Sequence, residues 1–547
     1  MVNKLKIYNA LDFGVKPYTY CETELENFLS SIPQDEEEKT IVFENGTYLI
    51  DATKLRTEKL YITNTVGDKE FSGDETPHLN RAPLWFSGLK NVTVDGNGAK
   101  FIIHGKSTNA VIDACENITI QNLTITADNP EMHELKVINK GLFYVDYEID
   151  EQTKYVNEKG KLYFVGHDYK RKFKDKSKTA WWIAHFPKDK PHFCQRTYHP
   201  LRDAFKVSEM GKRRIRAYTF TANKFQVGDK YYLYDVRRQY AGIFVQNSKN
   251  VTLHNVKQRF NYSLAFVAQN TENITLTNLD FSPEKERAMC SVADFIQICM
   301  CRGKVTVKDS YFSGAGDDCM NVHGFHFKIV DKKNDKITVR FMHPQSHGYN
   351  AFEIGDEIEF INPETLLPKG SACVVGSAMI SEYDVELKLD IADGAVVGEY
   401  VENATACPQV EFVNNEIDRI ITRGLLLTTR GKTNIENNHF YSTTMSGILL
   451  SDDADNWYES GMCLDMTIKN NKFDYCGENG ILIKPENKRY AGAVHKNITI
   501  EGNTFKKCER TCFDIKDSDN IIIKNNSIGD CPEKLITRNI TNFIKDF

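Results

Sequence analysis

One short phrase recurs along this chain, and it restricts the fold more than any other feature. A polar residue leads three or four alternating apolar and polar residues, then Asn or Asp, then an apolar or aromatic residue. The phrase reads Asn91-Val-Thr-Val-Asp-Gly-Asn97 and Asn117-Ile-Thr-Ile-Gln-Asn122 near the start, and Asn250-Val-Thr-Leu-His-Asn255, Asn273-Ile-Thr-Leu-Thr-Asn278 and Lys304-Val-Thr-Val-Lys-Asp309 further on. It returns as Val410-Glu-Phe-Val-Asn-Asn415, Thr433-Asn-Ile-Glu-Asn-Asn438, Met466-Thr-Ile-Lys-Asn-Asn471, Asn497-Ile-Thr-Ile-Glu-Gly-Asn503 and Asn520-Ile-Ile-Ile-Lys-Asn-Asn526. The alternation marks a strand with one buried face. The Asn that closes it suits a left-handed turn residue. Neighbouring copies lie about 23 to 33 residues apart, a solenoid period. A β-sandwich would not repeat one strand-turn-strand phrase in this way. The expected fold is therefore all-β, a right-handed parallel β-helix in which no coil is stable without its neighbours.

The phrase disappears twice. Residues 130–240 carry Lys161-Leu-Tyr-Phe-Val165 and Lys230-Tyr-Tyr-Leu-Tyr234, and residues 325–409 carry Lys336-Ile-Thr-Val-Arg340 and Val385-Glu-Leu-Lys-Leu389. Both read as antiparallel β-barrel-like insertions in the wall of the helix. The expected organisation is a cap and first coils (1–129), a first insertion (130–240), coils 241–324, a second insertion (325–409) and C-terminal coils (410–547). A short helical run, Glu24-Leu-Glu-Asn-Phe-Leu-Ser30, precedes the first coils. It resembles the opening of pectin-lyase-like β-helix enzymes, where a helix covers the exposed edge of the first coil.

A chain of 547 residues is long for one compact domain but natural for a solenoid. Apolar residues at 41% and charged residues at 26% fit a soluble protein. A net charge of -6 gives no reason to expect nucleic acid or an anionic membrane as partner. No apolar stretch is long enough to span a bilayer. Met1 to Ala10 has no apolar signal-peptide core. The 14 cysteines are scattered through strand-like runs and read as small buried hydrophobes. Free thiols favour a cytoplasmic location, the alternative being a periplasmic or secreted protein whose signal was removed. No Cys-x-x-Cys pair stands beside a His cluster, so neither metal nor cofactor is expected.

The phrase Phe312-Ser-Gly-Ala-Gly-Asp-Asp-Cys-Met-Asn-Val-His-Gly324 carries the chemistry. Asp317 and Asp318 follow a Gly-Ala-Gly turn. Asp294 lies about 23 residues before Asp317, one short coil, and stacking coils sit roughly 4.8 Å apart. Three carboxylates are therefore expected on one patch. Such crowding raises at least one pKa and sets a proton donor beside ionised neighbours. Glycoside hydrolysis uses this pairing, one carboxylic acid protonating the leaving oxygen while a carboxylate activates water. Two other readings stand beside it: turn closure by Asp317 and Asp318, and a calcium site of the kind β-helix lyases use.

The Asp…Gly-Asp-Asp constellation resembles the polygalacturonase-like hydrolases. The chain is more similar to glycoside hydrolase family 110, the exo-acting α-1,3-galactosidases of bacteria. The similarity lies in Gly314 to Gly324, in Phe341-Met-His-Pro-Gln-Ser-His-Gly-Tyr-Asn-Ala-Phe352, and in Thr428-Thr-Arg-Gly-Lys432 with Ser451-Asp-Asp-Ala-Asp-Asn-Trp-Tyr-Glu-Ser-Gly461. That resemblance implies a β-helix with two barrel-like insertions and inverting removal of terminal α-linked galactose. It implies Asp317 as general acid and Asp294 and Asp318 as activators of water. Acid and base would then stand roughly 6.5 to 9.5 Å apart, leaving room for the water.

Seven further residues are candidates for substrate binding. Asn321 and His323 follow the acid pair and are expected to line the pocket, with a structural role as the other reading for His323. Arg430 is read as holding a sugar hydroxyl or orienting a carboxylate, or else as a surface ion pair. Trp457 is read as stacking on galactose or as core. Glu459, Asp452 and Asp453 are read as hydroxyl ligands or turn residues. Trp181 and Trp182 in the first insertion are read as buried there, or as contacts to distant sugar or an adjacent subunit. The expected partner is an α-galactosyl-terminated oligosaccharide or glycoconjugate, either of blood-group B or linear type. A homodimer is one open oligomeric state. The competing functions are a polygalacturonase-like hydrolase, a calcium-dependent polysaccharide lyase and a non-catalytic glycan-binding β-helix.

Overall fold

The computed structural model describes residues 5–65, 78–173, 182–190, 193–234, 238–284 and 286–547. Its body is a right-handed parallel β-helix with three stacks of strands, one for each side of the coil. One stack includes Leu84–Ser87, Ala110–Asp113, Ile243–Gln246, Phe266–Gln269, Ile296–Cys299, Met320–Lys333, Leu425–Leu427 and Ile448–Leu450, all paired in parallel. The alternating residues of the repeated phrase form the second stack, as in Arg302–Lys308, Gln409–Val413, Thr433–Glu436 and Met466–Lys469. The third begins past the Asn turn, as in Tyr311–Ala315, Glu416–Ile420 and His439–Phe440.

The inward residues form columns. Phe412, Ile435, Ile468 and Ile500 are buried, and each side chain rests on its equivalents above and below. Such a side chain contributes about 1.5–3 kcal/mol by leaving water. Phe440, Phe473 and Phe505 stack with ring centroids 4.8 and 4.7 Å apart and planes nearly parallel.

The Asn-Asn step divides its work between two residues. The first takes the left-handed conformation, with φ of 55–56° at Asn414, Asn437, Asn470 and Asn525. The second turns inward and joins a buried ladder of Asn415, Asn438, Asn471, Asn503 and Asn526. The backbone N–H of Asn438 donates to Asn471 Oδ1, and that of Asn471 to Asn503 Oδ1, each at 2.9 Å. The Asn471 amide donates to the Ile435 carbonyl at 2.9 Å. An amide side chain carries both donor and acceptor, so each rung satisfies backbone groups that the corner would otherwise strand.

A helix, Glu22–Ser30, buries Leu25, Phe28 and Leu29 against the first coils. The insertions differ from each other. The second closes on itself through six antiparallel strands: Met320–Lys333, Lys336–Arg340, Asp384–Leu389, Pro368–Met379, Glu357–Ile361 and Tyr400–Asn403, which returns to the first. The first insertion, among the described residues, is an antiparallel sheet of seven strands with a separate three-stranded sheet. Leu162, Phe164 and Phe173 of the smaller sheet share one apolar core with Leu135, Val137 and Ile215 of the larger. Covering the apolar face in this way removes the need for the sheet to close.

The ladder gives a direct test. Asn471→Ala strands the Asn438 N–H and the Ile435 carbonyl inside the helix, at about 1–3 kcal/mol for each group. Thermal unfolding should show a clear fall in Tm. A loss no larger than that of Asn434→Ala, a half-buried residue of the preceding copy of the phrase, would contradict the ladder's role.

Candidate active site

Three adjacent coils place the carboxylates. Ile296 faces Met320 and Met320 faces Leu425. Extending that register by two residues stacks Asp294, Asp318 and Arg423. Asp294 is thus equivalent to Asp318, 24 residues on, and Asp317 sits one place earlier. This corrects the expected pairing of Asp294 with Asp317. The turn before the pair runs against the preceding coil. A Cβ on Gly314 would meet the Ala288 carbonyl at 2.2 Å, and one on Gly316 the Val292 carbonyl at 2.1 Å, so only glycine lets the two coils approach.

The three carboxylates have different surroundings. Asp294 is buried and its Oδ1 accepts the Asp318 N–H at 3.1 Å. Burial, then repulsion from Asp317 and Asp318, pushes its carboxyl well above the usual range, which favours the protonated form. Asp318 accepts from Thr422 Oγ1 at 2.5 Å, from the Arg423 backbone N–H at 3.0 Å and from Arg423 Nε at 2.8 Å, while Arg423 Nη2 lies 2.8 Å from its other oxygen. Asp317 reaches the mouth of the site, where Arg238 Nη2 donates to it at 2.9 Å and Arg196 Nη2 at 3.4 Å. Burial works to raise its carboxyl, but Arg238, Arg196 and Arg423 outweigh that effect and hold it below the ordinary value. Two carboxyls pushed in opposite directions therefore stand in one site.

These groups line a cavity of about 330 Å³ together with Asn64, Arg238, Asn321, Arg423, Leu426, Trp457 and Glu459. Asn321 donates to Glu459 Oε1 at 3.1 Å, while its own buried Oδ1 has no partner among the described residues. Trp457 is 44% exposed and lies over the His343 ring with centroids 4.5 Å apart. His343 belongs to the second insertion; Arg196 and Trp182 belong to the first. Trp182 stacks against both Arg196 and Arg238, at 4.8 and 5.0 Å. Both insertions thus reach the cavity mouth.

Asn321, Trp457 and Glu459 line the cavity, and the other four candidates do not. His323 is buried behind it, donating from Nδ1 to the Gly324 carbonyl and meeting Gln297 Nε2 at 2.6 Å. Asp453 shapes the turn that presents Trp457, accepting the Asp455, Asn456 and Trp457 N–H groups at 2.7–3.2 Å. Asp452 is fully buried on His326 Nε2 at 2.6 Å. Arg430 is neither a sugar ligand nor a surface ion pair. It grips Glu402 through two bonds, at 2.9 and 2.7 Å, and Glu359 at 2.7 Å, and so fastens the second barrel to the helix. Burial works to raise Glu402, but Arg430 holds its carboxyl below the usual range.

Asn64, Arg238 and Arg423 were not legible as site residues. Arg238 and Asn64 lie outside the repeated phrase. Arg423 is displaced 105 residues from its register partner by the second insertion. Had the insertion been removed before aligning coils, Arg423 would have fallen beside Asp318. Trp181 lies outside the described residues.

A parallel β-helix with three carboxylates in a pocket has the groups that a glycoside hydrolase uses. The family model described as right handed beta helix region matches residues 457–544, and the one described as GLAA-B beta-barrel domain II matches residues 336–398. Alpha-1,3-galactosidase A of Bacteroides thetaiotaomicron is 34% identical over 500 residues, spanning 89% of this chain and 86% of its own. Alpha-1,3-galactosidase B of Phocaeicola vulgatus is 29% identical over 564 residues, spanning 96% and 90%. A solved exopolygalacturonase of Yersinia enterocolitica, family 28, superposes with a TM-score of 0.45 at 11% identity, covering 99% of this chain and 78% of that one. The chain belongs to the alpha-1,3-galactosidase family, glycoside hydrolase family 110.

The proton on Asp294 has a consequence for stability. Its folded pKa lies above its unfolded value of about 3.9. Between those two values the folded state binds more protons, so its contribution to stability falls as pH rises through that window. Asp294→Asn keeps the acceptor for the Asp318 N–H and removes this dependence. Its Tm relative to the wild type should increase from pH 4 to neutral pH; an unchanged difference would contradict a protonated Asp294.

Proposed function

We propose that this enzyme removes single terminal α-1,3-linked galactose residues with inversion of the anomeric centre. What supports the reading is the arrangement of Asp294, Asp317 and Asp318 around a cavity whose mouth is bordered by both insertions. A pocket bordered by residues of both insertions suits the end of a glycan better than the middle of a polymer. Arg238 and Arg423 are engaged with the carboxylates, which leaves them unsuited to binding an acidic polymer such as polygalacturonate.

In this reading Asp317, at the mouth, protonates the glycosidic oxygen, while Asp294 and Asp318 take a proton from the attacking water on the opposite face. Asp294 is pushed up and Asp317 held down, so these two carboxyls share their proton as a coupled pair. For Asp317 to donate, the proton passes to it as the leaving oxygen approaches and its contacts with Arg238 and Arg196 loosen. Asn321, Glu459 and Trp457 bind the sugar, the indole covering an apolar face and the polar pair meeting hydroxyls. The acceptor is a blood-group B or linear α-galactosyl end. The resting proton favours a second reading, in which Asp294 itself is the acid.

Proton NMR of the first turnover on α-1,3-galactobiose should show β-galactose, with the rate unaffected by EDTA. Initial α-galactose would mean retention, and loss of activity restored by calcium would favour a lyase-like site. The acid is found by comparing substrates. An activated aryl galactoside needs less protonation, so Asp317→Asn should retain relatively more activity on it than on the disaccharide. If Asp294→Asn alone shows that pattern, Asp294 is the acid.

A further inference from the structure

Far from the active site, three thiols meet at one corner of the last two coils in the chain. The Sγ atoms of Cys508, Cys512 and Cys531 all lie within 4.8 Å of one another. Cys508 and Cys512 flank the corner between the strands Thr504–Lys507 and Thr511–Lys524. Cys531 occupies the same corner one coil on, between Ser527–Asp530 and Glu533–Asp546. The Cys508 N–H donates to the Asp530 carbonyl at 3.0 Å, which holds the two coils in register there. Cys476 stacks below Cys508 in the preceding coil. Read from the sequence, these residues are small hydrophobes. Stacking accounts for the column Cys476, Cys508 and Cys531, but it does not bring Cys512 to the same point.

We infer that Cys508, Cys512 and Cys531 form a three-thiolate site for a thiophilic cation, with Zn²⁺ as the ion that tests it. Tetrahedral zinc with bonds of about 2.3 Å sets its sulfur ligands about 3.8 Å apart. The observed cluster reaches that spacing by small side-chain rotations. Cys508 and Cys512 are fully buried and Cys531 is half-buried, so the ion enters from the Cys531 side and water takes the fourth position. Binding replaces the three S–H protons, which leave to solvent. A bound ion would clip the coil carrying Cys531 to the one carrying Cys508.

The experiment uses the full chain, reduced and freed of metal, titrated with Co²⁺ and then Zn²⁺. One equivalent of Co²⁺ should bind with a thiolate-to-cobalt charge-transfer band, and Zn²⁺ should displace it and raise Tm. Changing groups behind a metal's ligands already costs 10–100-fold in affinity. Removing a ligand in Cys531→Ser should therefore weaken Zn²⁺ binding by about 100-fold or more. Cys508→Ala should do the same, whereas Cys373→Ser, in the second barrel, should change nothing. Unaltered binding in Cys531→Ser and Cys508→Ala, or no charge-transfer band in the wild type, overturns the site. So does a disulfide among these three residues that survives in the freshly purified native protein.

Discussion

The parallel register between coils is the constraint on which everything else depends. Each coil is held to the next by backbone hydrogen bonds and by columns of like residues, and neither tolerates a slip. Moving one strand by a single residue would turn its apolar set outward. The buried Asn ladder makes the register still more specific, because its bonds form only when Asn415, Asn438, Asn471, Asn503 and Asn526 are all at one height. A rigid register is also what makes a catalytic site possible on a solenoid. Asp294, Asp318 and Arg423 are far apart in sequence, yet they are set a strand spacing apart because equivalent positions must stack.

That stacking creates an electrostatic problem which the insertions resolve. Three carboxylates at neighbouring heights cannot all ionise in a buried pocket. The protein buries one, Asp294, whose carboxyl is pushed up, and surrounds the others with guanidinium groups. Arg423 comes from the helix, and Arg196 and Arg238 come from the first insertion. Arg238 also reaches Asn64 at 3.3 Å, while the Asn64 N–H donates to the Gln345 carbonyl of the second insertion at 2.8 Å. The two insertions are therefore linked through the residues that tune the acid and base. Arg430, Glu402 and Glu359 perform the complementary task of anchoring the barrel that carries His343 over Trp457.

The sequence disclosed what is periodic. Coil boundaries, left-handed Asn turns and the convergence of three aspartates were all legible because each reappears at a solenoid interval. Residues outside the period stayed hidden. Arg238 and Asn64 sit in connections with no repeating signal, and Arg423 is periodic only after the second insertion is excised. Single residues were read less well than patterns. Arg430 and Asp452 look like pocket groups in sequence because charged residues near a motif suggest ligands; in the structure each is buried against a specific partner, Glu402 or His326, that sequence proximity does not reveal. Asp453 illustrates the other reading of an acidic residue, a turn former whose effect on the site passes through Trp457.

The central claim is that register places Asp318 in the chemistry rather than in turn closure. The most direct measurement is the kcat/KM of Asp318→Asn on α-1,3-galactobiose, taken beside its Tm. Asn retains the acceptor for Thr422 and the Arg423 N–H and suits the same turn, so the fold should survive. The account predicts a fall of about 10²–10⁴-fold, the range of a general acid–base group. A folded variant that turns over at close to the wild-type rate would contradict it.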